Sequence, residues 1–185
     1  ANEVLVKEGI EGLQKRAKNA SQPKVDGIFT VDDITDSMLD GYRNGQERGT
    51  STYIEEVDKA WTWRAGEVNI WTGYQNEGKS LFLNQLATIK ASVDGWKFAI
   101  FSPENMPMND FFNDIIEMYI GKSCDPYYKN NYMTEAEYRQ GMSFVQNHFN
   151  VIYPQRNFSL HTIFEKAKFL IKTQGIRALI IDPYN

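Results

Sequence analysis

Residues 73–80 read GYQNEGKS, which fills every fixed position of the pattern G-x-x-x-x-G-K-[ST]. Those residue types at that spacing do one kind of chemistry: they hold the phosphates of a nucleotide. Gly73 and Gly78 let the backbone turn tightly and bring its N–H groups against phosphate oxygens. The Lys79 ammonium reaches the β- and γ-phosphates, and the Ser80 hydroxyl is offered to Mg²⁺. The expected nucleotide contacts are Gly73, Tyr74, Gln75, Asn76, Glu77, Gly78, Lys79, Ser80 and Leu81. The loop opens a helix, whose free N–H groups and positive dipole end also favour an anion. The bland alternative is a glycine-rich turn without a ligand.

Two carboxylates join this loop. Asp182 follows the apolar run ALII at the end of a strand pattern. In open α/β sheets, ligands bind outside the carboxyl ends of the strands, and a carboxylate there can hold Mg²⁺ through water. Many strands end in Asp, so the loop upstream is what gives Asp182 its meaning. Glu104, in FAIFSPEN, falls just past the tip of another strand pattern. A carboxylate at that position can orient and polarise a water for in-line attack on a γ-phosphate. Its plain alternative is a helix-start Glu between Pro103 and Pro107. The catalytic pair expected from the residues is Glu104 with Lys79, and the metal pair is Ser80 with Asp182.

The elements that must position these groups alternate from Gly66 onward. GEVNIWT (66–72) has Val68 and Ile70 on one face and is expected as the strand before the loop. The helix after it carries Leu83, Leu86, Ala87 and Lys90 at helical spacing. KFAIF (97–101) is a second, buried strand. A helix from Asn109 turns Phe112, Ile115, Ile116 and Tyr119 inward and stops at Gly121. The segment 121–133 is irregular. Thr134 and Glu137 form a capping box, followed by Tyr138, Met142, Val145 and Phe149 on one helical stripe. VIYP (151–154) is a short strand, Ser159 caps a helix bearing Ile163, Ala167, Leu170 and Ile171 that ends at Gly175, and RALIID (177–182) is the last strand. Such alternation implies an α/β fold with a mainly parallel sheet covered by helices on both faces.

Ahead of this lie about 25 residues expected as an amphipathic helix and a polar linker, NASQPKVDG. A second helix is expected over Val31–Asn44, with Thr30 as N-cap, Asp33 in its first turn, and a narrow stripe of Val31, Ile34, Met38 and Tyr42. The stripe either packs into a core or docks on a neighbouring subunit.

The bulk numbers bound the answer. The chain has 185 residues, 42% hydrophobic and 24% charged, which suits a globular domain with its own core. No apolar run approaches the roughly 20 residues that span a bilayer, and the N-terminus has no apolar signal region, so neither a membrane span nor secretion is expected. Cys124 is the single cysteine, which leaves no disulfide framework or thiolate metal site and suits a reducing cytoplasm. A net charge of −4 argues against a large nucleic-acid patch on this chain alone.

Taken in order, these segments resemble the RecA-like motor of DnaB-family replicative helicases. GEVNIWTGYQNEGKSLFLNQL is similar to the family's Walker A segment, and FSPENMPMNDF to its S-x-E-M strand end. Twinkle- and phage-type primase–helicases are more similar still. ANEVLVKEGIEGL resembles the close of their TOPRIM region, GIFTVDDITDSMLDGYRNG their linker helix, RGTSTYIEEVDKAW the segment before the motor, and IDPYN the Walker B end. The resemblance implies residues 1–25 as a TOPRIM-like tail, 26–50 as the linker helix, and 51–185 as the N-terminal part of a RecA-like phosphate-loop motor, C-terminally incomplete. It implies ATP or another NTP as substrate, Mg²⁺ as cofactor, Glu104 activating water, single-stranded DNA as partner, and a homo-oligomeric ring, usually a hexamer. The expected location is the cytoplasm of a bacterial or phage-type system, with an organelle as the alternative. The family's later sensor strand, DNA-contacting loops and arginine finger have no counterpart here. In water-activating ATPases that strand lies between the Walker A and Walker B strands, so the sheet would lack an inner member. Competing functions are a RecA-type recombinase or other ring ATPase, and a nucleotide-binding assembly module without turnover.

Overall fold

In the computed structural model, residues 2–19, 26–45, 48–103 and 106–182 are described, with side chains from residue 6 onward. The chain divides into two units, Ala1–Glu47 and Arg48–Asn185.

The first unit holds two helices. α1 (Asn2–Lys18) is broken at Gly9, where φ is 67°. α2 runs over Val31–Asn44, the bounds its stripe and flanking residues predict. Its entrance is fixed by Asp33, whose carboxylate accepts both the Thr30 N–H (2.9 Å) and the Thr30 hydroxyl (2.8 Å). That pairing satisfies donors a helix start otherwise leaves to water. The polar linker expected before α2 falls mostly at 20–25, outside the described residues.

The second unit is built on a parallel three-stranded sheet in the order β2-β1-β3, with β1 Phe98–Phe101, β2 Phe149–Val151 and β3 Ala178–Ile181. β1 is buried throughout, because the sheet is covered on both faces. Helices α4 (Lys79–Asp94), α5 (Met108–Ile120) and α6 (Glu135–His148) cover one face, and α7 (Leu160–Gln174) the other. On the first face Leu86, Ala87 and Ala91 of α4, Ile115 and Ile116 of α5, and Phe144 and Val145 of α6 pack around Phe98, Ile100 and Ile180. On the second, Ile163 and Ala167 meet Ala99 and Phe101. The parallel α/β class expected from the alternation is therefore what forms. A short helix, α3 (Glu55–Ala60), precedes the loop region.

Three expectations shift. The strand at 151–154 forms two residues earlier, at 149–151, because Phe149 stacks on Phe98 at 5.7 Å and anchors the register there. Met142 and Ile171 are about half exposed rather than inward. The core of α6 is instead Gly141, Phe144 and Val145, and a Cβ at Gly141 would come within 2.5 Å of Ile116 Cγ2. The third shift concerns the site. Residues 66–72 form no ladder, and Val68 and Ile70 are 91% and 83% exposed. Alternation marks a face, but a strand is made by its neighbours. Among the described residues β3 pairs only with β1, and no strand pairs with 66–72. Aromatic contacts hold the segment instead: Trp61 Nε1 donates to Asn69 Oδ1 (2.9 Å), and Trp71 lies edge-on to Trp61 at 5.2 Å.

Candidate functional site

The 73–80 segment closes on itself around Lys79. The Lys79 ammonium donates to the carbonyl of Gly73 at 3.0 Å and to that of Tyr74. The Glu77 carboxylate accepts the Tyr74 N–H at 3.1 Å. The two fixed glycines do different work. Gly78 has φ 78°, a left-handed conformation that only glycine adopts freely, and it is the N-cap of α4. At Gly73 a Cβ would sit 3.2 Å from Lys79 Cδ and 3.3 Å from Glu77 Oε2, a tight fit that these flexible side chains would have to ease by a few tenths of an ångström. Asn76 also takes a positive φ, 61°, a conformation asparagine tolerates better than most residues. The loop is exposed, while Lys79 and Ser80 are half-buried where the helix begins.

Topology decides what this loop faces. α4 ends at Asp94, and Gly95, Trp96 and Lys97 lead straight into β1. A helix that returns so tightly onto its own sheet runs antiparallel to the strand that follows. Sixteen residues of helix span about 24 Å, whereas the four residues of β1 span about 13 Å. The start of α4 therefore lies beyond the carboxyl ends of the strands. Asp182 stands at the same edge, where its N–H donates to the Phe101 carbonyl (2.9 Å) and extends the β1–β3 ladder by one pair. Side chains alternate along a strand. Phe98 and Ile100, with Ile180, face α4, so the next residues on that face are Ser102 and Asp182.

Glu104 lies outside the described residues, two positions past Ser102. Of the expected site residues, Asp182 stands at the carboxyl edge of the sheet, and Lys79 and Ser80 open the helix whose length carries its start past the strands. Ser102, to which sequence reasoning gave no role, stands beside Asp182 at that edge; its signals were its place after a buried strand and its position in the stretch that resembles the S-x-E-M strand end.

The residues present fit a magnesium–nucleotide by their chemistry. There is a loop of backbone donors, an ammonium whose present partners are loop carbonyls, a hydroxyl at a helix start and a carboxylate at a strand end. Among the described residues no group of three or more His, Cys, Asp or Glu is placed to hold a metal alone.

The far end of α4 is anchored. Lys90 is fully buried, ion-paired with Asp94, and donates to the Ser51 carbonyl at 2.8 Å. Its ammonium also lies 5.0 Å from the Trp96 ring and 5.3 Å from that of Tyr53. Hydrogen bonds from Lys90 and then Tyr53 hold the Asp94 carboxyl below the usual range. Asp58, held low by the hydroxyls of Ser51 and Thr52, fixes the other side of this turn, accepting the Thr52 N–H at 2.7 Å.

The fold and edge together define an α/β protein with a glycine-bounded loop at the start of a helix that overhangs a parallel sheet. No family model matches the chain, and no solved structure matches it. Over 197 aligned positions it is 32% identical to the Twinkle homolog protein, chloroplastic/mitochondrial, of Arabidopsis thaliana. The match takes in all of this chain and 27% of that relative, so the chain spans about a quarter of its length. The two are homologous over that stretch.

Proposed function

We propose that the chain is the N-terminal part of the motor of an NTP-dependent replicative DNA helicase, in which ATP binding and hydrolysis are coupled to unwinding. The observation that carries this reading is the loop at 73–80, with its ammonium turned onto its own carbonyls at the overhanging start of α4. Homology to the Arabidopsis Twinkle homolog along the whole chain supports the helicase assignment.

In this reading the amides of 73–81 receive the phosphates, and Lys79 leaves the Gly73 and Tyr74 carbonyls for the β- and γ-oxygens. Ser80 and Asp182 hold the cation, and Glu104 orients the attacking water. Mg²⁺, when bound, neutralises charge that develops on the phosphates. Residues 1–25 form the tail of a TOPRIM-like region, 26–50 the linker helix and 51–185 the motor. The open edge of β3 and the unpaired segment 66–72 are complementary needs that one further parallel strand would meet. The partners are single-stranded DNA and further copies of the same protein in a ring, a hexamer by resemblance. Among the described residues no helix is long and apolar enough to cross a membrane. The compartment is a bacterial or phage-type cytoplasm or, as the relative's name suggests for that protein, an organelle.

The test is nucleotide turnover and strand separation by the complete protein with Glu104→Gln. The variant should keep nucleotide affinity and lose turnover, because a neutral amide cannot polarise water as a carboxylate does. Near-native turnover by E104Q would remove Glu104 from the mechanism. DNA-dependent turnover without strand separation would favour a recombinase or other ring ATPase, and nucleotide binding with no turnover in the native protein would favour an assembly module.

A further inference from the structure

Buried hydroxyls find hydrogen-bond partners in nearly all structures, and an orphan calls for an explanation. Ser102 is 5% exposed, and its Oγ has no partner. The other buried side-chain polar atoms without partners among the described residues are Trp63 Nε1 and Asn150 Nδ2. Trp63 sits within the aromatic cluster of Trp61, Trp96 and Phe98. Asn150 is on β2, in register with Ala99 and so on the α7 face. Ser102 differs from both by its place. It follows Phe101 at the carboxyl end of the central strand, in the register position opposite Asp182, on the face that α4 covers. A polar group without a protein partner thus stands beside the carboxylate of the candidate cation site.

We propose that the Ser102 hydroxyl belongs to the divalent-cation site, where it binds a water of the cation's hydration shell beside Asp182. The proposal rests on the nucleotide-hydrolysing reading above. Mg²⁺ dehydrates reluctantly and keeps several waters, which need acceptors and donors around them. Groups that bind such waters orient the direct ligands, and their loss typically costs about 10- to 100-fold in metal affinity. A serine can serve because its hydroxyl both donates and accepts. Ser102 is in this sense a positioning residue: it acts through water and not on the phosphate.

The experiment uses the complete protein with a non-hydrolysable ATP analogue and Mn²⁺ as the probe, followed by electron paramagnetic resonance. Ser102→Ala should weaken Mn²⁺ binding to the analogue-loaded protein about tenfold. Analogue affinity in the presence of EDTA should stay within twofold. The melting temperature should be unchanged or raised, because an unpaired buried hydroxyl is being removed. Ser102→Thr, which keeps the hydroxyl, should retain most of the Mn²⁺ affinity. Lys79→Ala, run in parallel, separates the two ideas. If it leaves analogue affinity intact, the nucleotide reading fails and takes this inference with it. If it abolishes analogue binding while S102A holds Mn²⁺ as tightly as the native protein, the inference alone is overturned. Equal weakening by S102A and S102T would also overturn it, since the loss would then follow packing and not the hydroxyl.

Discussion

Two lysines stand near opposite ends of α4, and their surroundings are opposites. Lys90 is fully buried, ion-paired to Asp94, bonded to the Ser51 carbonyl and laid against two aromatic rings. Lys79 is half-buried, and its partners are two carbonyls of its own loop. A buried charge must be paired wherever the fold needs it, since leaving it unpaired costs several kcal/mol. A charge at a solvent-facing loop needs no protein partner at all. Carbonyls six and five positions away are exchangeable for phosphate oxygens, which carry a full negative charge and bind an ammonium more strongly. The difference teaches where to look for work on this helix: the satisfied end fixes the helix in the fold, and the loosely satisfied end is where the proposed nucleotide would bind.

The sharpest way to break that comparison is to remove each charge in turn. In the complete protein, Lys79→Ala should lower turnover by about a hundred- to a thousandfold, the usual cost of deleting a donor aimed at developing charge. Its melting temperature should stay within a degree or two, because no buried group loses a partner. Lys90→Ala should do the reverse. Emptying the space of a fully buried side chain that also carries an ion pair costs about 3 kcal/mol, or on the order of 10 °C in a domain of this size. A melt followed by tryptophan fluorescence reads it directly, since Trp96 lies against the ammonium. Lys90→Met should recover part of the loss by refilling the space of the alkyl chain. Should K79A unfold the protein, or K90A leave its melt unchanged, the two lysines are not the opposites their surroundings make them.

The apolar counterpart of Lys79 is the stripe on α2. Val31, Ile34, Met38 and Tyr42 are 64%, 44%, 54% and 88% exposed. A stripe this narrow suits a groove on a partner better than a core. Replacing Ile34 and Met38 with Ser should leave the melt of the second unit intact while weakening each subunit contact by about 2 kcal/mol, taking roughly half of full burial for each side chain. Sedimentation of the complete protein would show a smaller assembled fraction. An unchanged assembly would make the stripe incidental, and a lost fold would make it core.

How far the sequence could be read follows the same division between local and partnered features. Caps and helix bounds were legible because their causes lie within a few residues. Thr30 with Asp33 and Thr134 with Glu137 satisfy orphan donors locally, and α2 forms over the residues its pattern marks. The turn at Gly78 was legible for the same reason, since its left-handed conformation is a local requirement. The segment 66–72 was not, because alternation cannot say whether a neighbouring strand is there to pair with. Gly141 was missed in α6, where a helix-period reading seeks large apolar residues and cannot see that the approach of Ile116 demands none. Lys90 was placed on the inward stripe by spacing alone, but its partners come from 51–53 and Trp96, too far along the chain for any pattern to join. Ser102 escaped because, although it opens the stretch that resembles the S-x-E-M strand end, the reading assigned the chemistry there to Glu104 alone.

A third kind of charge lies between the two lysines: exposed enough to meet solvent, yet well partnered. Glu137 accepts the Thr134 N–H at 2.7 Å and the Thr134 hydroxyl at 2.9 Å, and Lys122 donates to its other oxygen. Lys122 first, and the Thr134 bonds after it, bring the Glu137 carboxyl down from 4.5 to about 2. A carboxyl held lower in the folded chain than in the unfolded one stabilises the fold fully above the unfolded value. That contribution fades as the pH falls from 4.5 toward 2, where the folded carboxyl finally takes its proton. Glu137→Gln cannot titrate, although its amide can still accept from Thr134. The native protein should therefore melt above E137Q at pH 7, and the gap between them should narrow steadily below pH 4.5. Because every other group titrates alike in both proteins, the narrowing isolates this carboxyl. The effect should be the smallest of the set, since solvent screens a pair at the surface. A gap that stays constant down to pH 2 would mean that the contacts at the start of α6 act by shape alone, and that partnering without burial leaves a charge as free as Lys79.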